Sequence, residues 1–149
     1  MVTKEEKSEG IKMSEFGKRA ACLFDEGYNC AQSVAGAFAD KFGIEFGSML
    51  RLSSGFGGGI AGRREMCGAV SGMLMAIGLG CGYSDSAATA EKQAHYTRCR
   101  EAMERFEREA GSIVCAELLA TKREVPAGVR PCRILCEIAA DIAADIIGG

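Results

Sequence analysis

The sequence predicts an all-α protein, a single-domain helical bundle of five to seven helices with a glycine-rich loop before the central helix. Apolar residues recur at spacings of three and four through most of the chain, and nowhere do β-branched or aromatic residues alternate with polar ones over a useful length. Helix punctuation recurs as well, with Ser, Asn or Pro ahead of an apolar stripe and Gly behind it. At 149 residues, 48% hydrophobic and 26% charged, the chain is long enough for one core and too apolar for disorder.

Residues 1–13 read as a solvated lead-in, because MVTKEEKSEG holds neither an apolar segment nor a twin arginine. The lack of an export signal there predicts a cytoplasmic location, and residues 14–149 then form the helical domain. The first helix is expected over 14–26, capped by Ser14, with Phe16, Ala20, Leu23 and Phe24 as its apolar stripe and Gly27 as its stop. Asn29 caps a second helix whose inner face is Ala31, Val34, Ala35, Phe38 and Phe42, ending at Gly43. A short helix follows over 45–52.

Residues 53–62, SSGFGGGIAG, predict a loop, since each glycine costs a helix up to about 1 kcal/mol relative to alanine. The central helix is expected over 65–79. Residues 67–84 carry no charge, but five glycines and ordinary hydrophobicity favour a buried helix over a membrane span. Gly68 and Gly72, four apart, would let a neighbouring helix approach closely. After a turn at 80–84, the longest helix is expected over 85–110, with Glu101–Arg105 and Glu104–Arg108 pairs on its wet face and Cys99, Met103, Phe106 and Ala110 inward. Ser112 caps a short helix to Ala120, 121–130 form a polar loop, and Pro131 opens a last helix reaching Ile147.

Eighteen basic against twenty acidic residues, with no basic run, argue against a nucleic-acid partner. Eight cysteines in a chain without an export signal point to redox turnover, metal or small core positions more than to a structural disulfide network. Four of them fall at expected helix starts: Cys30 after Asn29, Cys67 after the glycine loop, Cys115 three residues after Ser112, and Cys132 after Pro131. Unpaired N–H donors and the helix dipole favour a thiolate there, so depressed pKa values are expected at these four. Cys22 and Cys99 fall on apolar stripes, where a cysteine acts as a small hydrophobe, and Cys81 trails a helix end. Cys132 and Cys136 share a helix face, as do His95 and Cys99, so Cys136, His95 and Cys99 are weaker metal candidates. The chain has no CxxC, CxxCH or HExxH motif. GGGIAG at 57–62 matches GxGxxG, but no strand precedes it, which removes the dinucleotide reading. Gly57, Gly58 and Gly59 are instead expected to bring backbone N–H groups close to Cys67 or to a bound guest, with Phe56 and Ile60 pinning the loop to the core.

The runs GYNCAQSV (27–34), SGFGGGIAG (54–62), CGAVSG (67–72) and GSIVCAELL (111–119), followed by the Cys132 helix, resemble the small bacterial and archaeal family called C_GCAxxG_C_C. The resemblance runs from about residue 27 to 142. It implies a helical, redox-active protein whose shared cysteines map to Cys30, Cys67, Cys115 and Cys132, with Cys136 the rival for the last place. It also implies an oxidoreductase or electron-transfer protein as partner.

Three functions are therefore open at this point. The first is thiol–disulfide exchange or electron transfer at Cys30, Cys67, Cys115 and Cys132. The second is a metal ion or iron–sulfur cluster held by the same thiolates. The third is a non-catalytic helical interaction or small-ligand module. No general acid or base of recognisable geometry is evident, and the oligomeric state is open.

Overall fold

In the computed structural model, residues 14–148 are described; the lead-in expected over 1–13 lies outside them. Seven α-helices occur among these residues: α1 Glu15–Asp25, α2 Cys30–Gly36, α3 Phe46–Ser53, α4 Gly68–Cys81, α5 Thr89–Ala110, α6 Cys115–Ala120 and α7 Pro131–Gly148. A 3₁₀ turn, Ser54–Phe56, follows α3 directly. No helix among the described residues is long and apolar enough to cross a membrane.

Local chemistry accounts for the first two helices. Ser14 Oγ accepts from the Gly17 N–H at 3.0 Å and donates to Asp141 Oδ1 at 2.5 Å, so one side chain caps α1 and ties its start to α7. Gly27, at φ +111°, turns the chain into α2. There Asn29 and Gln32 form a reciprocal capping box, each side chain accepting from the other's backbone N–H.

The regular part of α2 stops at Gly36 and not at Gly43. Beyond it the N–H groups of Phe38 and Ala39 bond only three residues back, a tighter winding that carries Phe38 into the core and leaves Phe42 at its margin. The longest helix starts at Thr89, four residues later than expected, because Asp85 closes a turn by accepting from the Ala87 and Ala88 N–H groups. The expected Glu101–Arg105 and Glu104–Arg108 pairs do not form among the described residues; Arg105 reaches Asp145 on α7 at 2.7 Å instead. Cys22 is exposed, not part of the inward stripe, because Ala21, Leu23 and Phe24 take the buried positions of that turn.

The central helix α4 packs against α2, α5 and α7, and α7 also packs against α1 and α2. Val34, Phe38, Val70, Met73, Ile77, Phe106, Leu135 and Ile142 fill the core between them. The α2–α4 contact depends on glycine. A Cβ at Gly72 would lie 2.8 Å from the Ala31 carbonyl oxygen and 2.9 Å from Val34 Cβ, so only a residue without one permits this approach.

Gly72→Ala should therefore destabilise the fold by roughly 2 kcal/mol or more, since the clash is with backbone that cannot yield. Gly78, on the same helix, has nothing within 4 Å of its would-be Cβ, and Gly78→Ala should raise stability by about 0.5–1 kcal/mol. Urea midpoints of the two variants, read against the parent protein, test the pair.

Candidate functional site

A cavity of about 270 Å³ lies where the starts of α2, α4, α6 and α7 meet beneath the glycine loop. Its wall includes Cys30, Cys67, Cys115 and Cys132, one from each helix start. All eight cysteines are free thiols.

Cys67 and Cys115 are placed by an isolated antiparallel bridge between Met66 and Val114. The Cys67 N–H donates to the Ile113 carbonyl at 2.8 Å, and the Cys115 N–H donates to the Glu65 carbonyl at 2.6 Å. Side chains one residue to either side of a bridged pair project from the same face, opposite to the bridged residues. Both sulfurs therefore leave this ribbon on one side. The pairing also explains why the central helix begins at Gly68 and not at Glu65: residues 65–67 are extended to make the bridge, and Cys67 becomes the residue before the first turn. For the same reason Ser112 does not cap α6. Its Oγ accepts from the Val114 N–H at 2.9 Å and donates to Glu117 Oε1 at 2.6 Å, bracing the ribbon one turn earlier.

Cys30 is brought to this ribbon by glycine at position 68. A Cβ there would sit 3.2 Å from Cys30 Cβ and 3.1 Å from the Ala31 nitrogen, so Gly68, beside Cys67, lets the start of α4 close on the start of α2. Cys132 enters from α7, whose first turn is fastened to the end of α1 by Arg133 and Asp25 at 2.9 Å. The Cys132 thiol lies close enough to Cys30 that each shifts the other's ionisation. Cys136, one turn further along, is fully buried behind Cys30, 4.0 Å from its carbonyl oxygen, and is not on the cavity wall.

The glycine loop covers the site through an unusual backbone. Gly58, Gly59, Ile60, Ala61 and Gly62 have φ values of +64°, +73°, +70°, +52° and +78°, five successive residues in the left-handed region. Ile60 and Ala61 are strained there, by roughly 1–2 kcal/mol each. Hydrogen bonds across the loop hold them: Ala61 to Gly55, Gly62 to Gly57, Arg64 to Gly58 and Glu65 to Gly59, at 2.8 to 3.1 Å. Phe56 and Ile60, expected to pin the loop, are not packed against the core; Asn29 does this work by donating to the Ser54 carbonyl and lying flat against Gly57. Gly58 and Gly59 line the cavity, whereas Gly57 does not. A Cβ at Gly59 would come 2.7 Å from Cys115 Cβ, so the loop backbone rests on that cysteine.

Two arginines that the sequence did not single out also line the cavity, Arg64 and Arg130. Arg64 sits at φ +62° with Nη1 3.9 Å from Cys115 Sγ, while its neighbour Arg63 turns away to Glu65 at 2.9 Å. Arg130 lies over the Phe24 ring at 4.4 Å. The loop's glycines signalled that some adjacent residue would be drawn to the site, but nothing in the sequence distinguishes Arg64 from Arg63 or points to Arg130.

Cys30, Cys67 and Cys132 are raised in pKa, against the depression expected from helix starts. Burial pushes Cys67 up to about 11 from 9.0, and the N–H groups of Ala69 and Val70 only partly offset it. At Cys30 the hydrogen bond from Cys132 favours the thiolate, but the Cys136 contact, burial and the neighbouring Cys136 and Cys67 sulfurs outweigh it and raise the value. Cys132 is raised by the bond it donates to Cys30 and by burial, against the pull of Arg130 and Arg64. Desolvation and crowding of like groups exceed the helix-start effect, so these three are protonated thiols at neutral pH. Among the described residues no three His, Cys, Asp or Glu side chains are arranged to hold a metal ion. His95 and Cys99 form a pair at 3.6 Å, away from the cavity, with no third ligand among the described residues.

A family profile described as "Putative redox-active protein (C_GCAxxG_C_C)" matches residues 28–146. No curated protein and no solved structure gives a match.

The raised thiols link stability to pH. As the pH climbs, the unfolded chain loses these protons first, so the stability they hold is complete below about pH 9 and is lost as the pH rises through about 11 for Cys67. For that group alone the loss is roughly 2–3 kcal/mol. Urea denaturation under reductant from pH 7 to 11 should show a midpoint falling above about pH 8.5. Cys67→Ser, whose hydroxyl does not titrate, should fall less steeply; equal slopes would contradict this origin.

Proposed function

Because the chain belongs to the C_GCAxxG_C_C family, we propose that Cys30, Cys67, Cys115 and Cys132 carry out two-electron thiol–disulfide exchange, drawing electrons from an oxidoreductase partner. The observation that carries this reading is the meeting of four free thiols, from four separate helix starts, on the wall of one cavity. Single thiols scattered through a core would serve packing; four on one wall can exchange bonds.

Cys115 is the entry thiol. It is half-buried, touched by the Arg64 guanidinium, and shares one face of the Met66–Val114 ribbon with Cys67, diagonally across the bridge. Its sulfur, having released its proton to solvent, attacks one sulfur of a substrate disulfide; the first thiol leaves with a proton from solvent. Cys67 then loses its proton and attacks Cys115 Sγ, forming a protein disulfide and releasing the second thiol. Two protein thiols have become one disulfide, and one substrate disulfide has become two thiols. Cys30 and Cys132, neighbours on the cavity wall, form the second pair, able to pass the oxidation inward. A dithiol on the partner restores the reduced state by the reverse exchange. The cytoplasm, which keeps thiols reduced, suits such a cycle.

The test is a mass-spectrometric map of disulfides after the reduced protein is oxidised with a small disulfide and quenched in acid. Intramolecular bonds should join only Cys30, Cys67, Cys115 and Cys132, and exposed Cys22 should carry at most a mixed disulfide. Cys115→Ser should slow the oxidation by about tenfold or more. Bonds formed indifferently with Cys81 or Cys99, or none at all, would remove the proposal.

A further inference from the structure

The cavity has a charge pattern that thiol exchange alone does not require. Arg64 and Arg130 both line it, and among the described residues no Asp or Glu does. Neither arginine has a carboxylate within salt-bridge distance among the described residues, although five other such bridges occur there. Arg64 is held in place by main-chain bonds on both sides, its N–H to Gly58 and its carbonyl from Ala116, in a left-handed conformation that a non-glycine residue adopts only when its surroundings enforce it. The loop adds donors. Among the described residues, the N–H groups of Gly58 and Gly59 have no acceptor, because the left-handed run turns their carbonyls, not their N–H groups, to the chain at Arg64 and Glu65. Consecutive unpaired backbone N–H groups beside guanidinium groups make an anion-binding wall.

Apart from the thiols, Asn29 and glycine backbone, the rest of the lining is apolar or aromatic: Phe24, Tyr28, Leu118, Leu119 and Leu135. An inorganic oxyanion would leave that surface unused. A short carbon chain would cover it, and about 270 Å³ suits a small molecule more than a protein loop. Resting on the thiol-exchange reading, we propose that the substrate is a small aliphatic disulfide bearing carboxylates, whose anionic ends meet Arg64, Arg130 and the Gly58–Gly59 backbone while its sulfurs face Cys115. Reduction converts it to two carboxylate-bearing thiols, with the electrons supplied by the Cys115–Cys67 pair.

Three disulfides of similar length separate charge from reactivity: 3,3′-dithiodipropionate as a dianion, 2-hydroxyethyl disulfide as a neutral compound and cystamine as a dication. The reduced protein should be oxidised by the dianion about tenfold or more faster than by the neutral compound, and most slowly by the dication, with the preference shrinking as salt is added. Arg64→Gln and Arg130→Gln should each reduce the ratio of the dianion rate to the neutral rate by several-fold. Equal rates for the three compounds, or a ratio unchanged in both variants, would overturn the proposal.

Suberate, in which two methylenes replace the sulfurs, gives a readout independent of redox chemistry. It should protect Cys115 from alkylation by neutral iodoacetamide, with exposed Cys22 as the unprotected internal reference, and the protection should weaken in Arg64→Gln. If none of the disulfides oxidises the cavity thiols, the exchange reading fails, and suberate protection still decides whether the cavity selects carboxylates. Absence of protection sinks that selection.

Discussion

Two main-chain hydrogen bonds, between Cys67 and Ile113 and between Glu65 and Cys115, organise the site on which the rest depends. They join segments almost fifty residues apart in a helical protein with no other extended pairing among its described residues, at the point where α4 and α6 begin. Because the pairing is antiparallel, the residues flanking the bridge face the same way, and both flanking positions that matter are cysteine. The glycine loop follows from the same constraint. Its carbonyls accept from Arg64 and Glu65, so the loop and the ribbon are one hydrogen-bonded unit, and a side chain at Gly59 would drive the two apart.

Bringing the thiols together has an electrostatic consequence that opposes the effect of helix starts. A sulfur taken out of water beside other thiols tends to hold its proton, because a thiolate there is poorly solvated and faces neighbours able to bear the same charge. Cys30, Cys67 and Cys132 are all shifted this way. These three are thus held as protonated thiols, while Cys115, half-buried, lies beside Arg64. Among the described residues, Arg64 and Arg130 are the only Asp, Glu, Lys or Arg side chains on the cavity wall, and both lower the cost of negative charge on Cys132. Cation placement and thiol burial are therefore two parts of one balance.

Much of the fold was legible from local chemistry. Ser14, Asn29, Gly27, Gly111 and Pro131 begin or end helices where capping and backbone preferences require it, because those preferences act within one turn of chain. The Gly68–Gly72 spacing announced a close helix contact before any partner was known. Several departures from expectation come from partners distant in the chain, while the late start at Thr89 comes from the local turn that Asp85 closes. Residues 65–67 gave up helix for the bridge to 113–115, Arg105 left its own helix for Asp145, and Cys22 turned outward once its neighbours took the core.

The chain alone determined the fold class, the helix order and that four cysteines fall near helix starts, since capping and periodicity act between residues close in sequence. Only the tertiary structure decided that these four starts meet on one cavity, that Cys136 lies sealed behind Cys30, and that Arg64 and Arg130 face the thiols while Arg63 does not. The physical reason is range. Caps and periodicities act over a few residues, whereas convergence, desolvation and the sign of a thiol's pKa shift depend on what packs beside it from elsewhere in the chain.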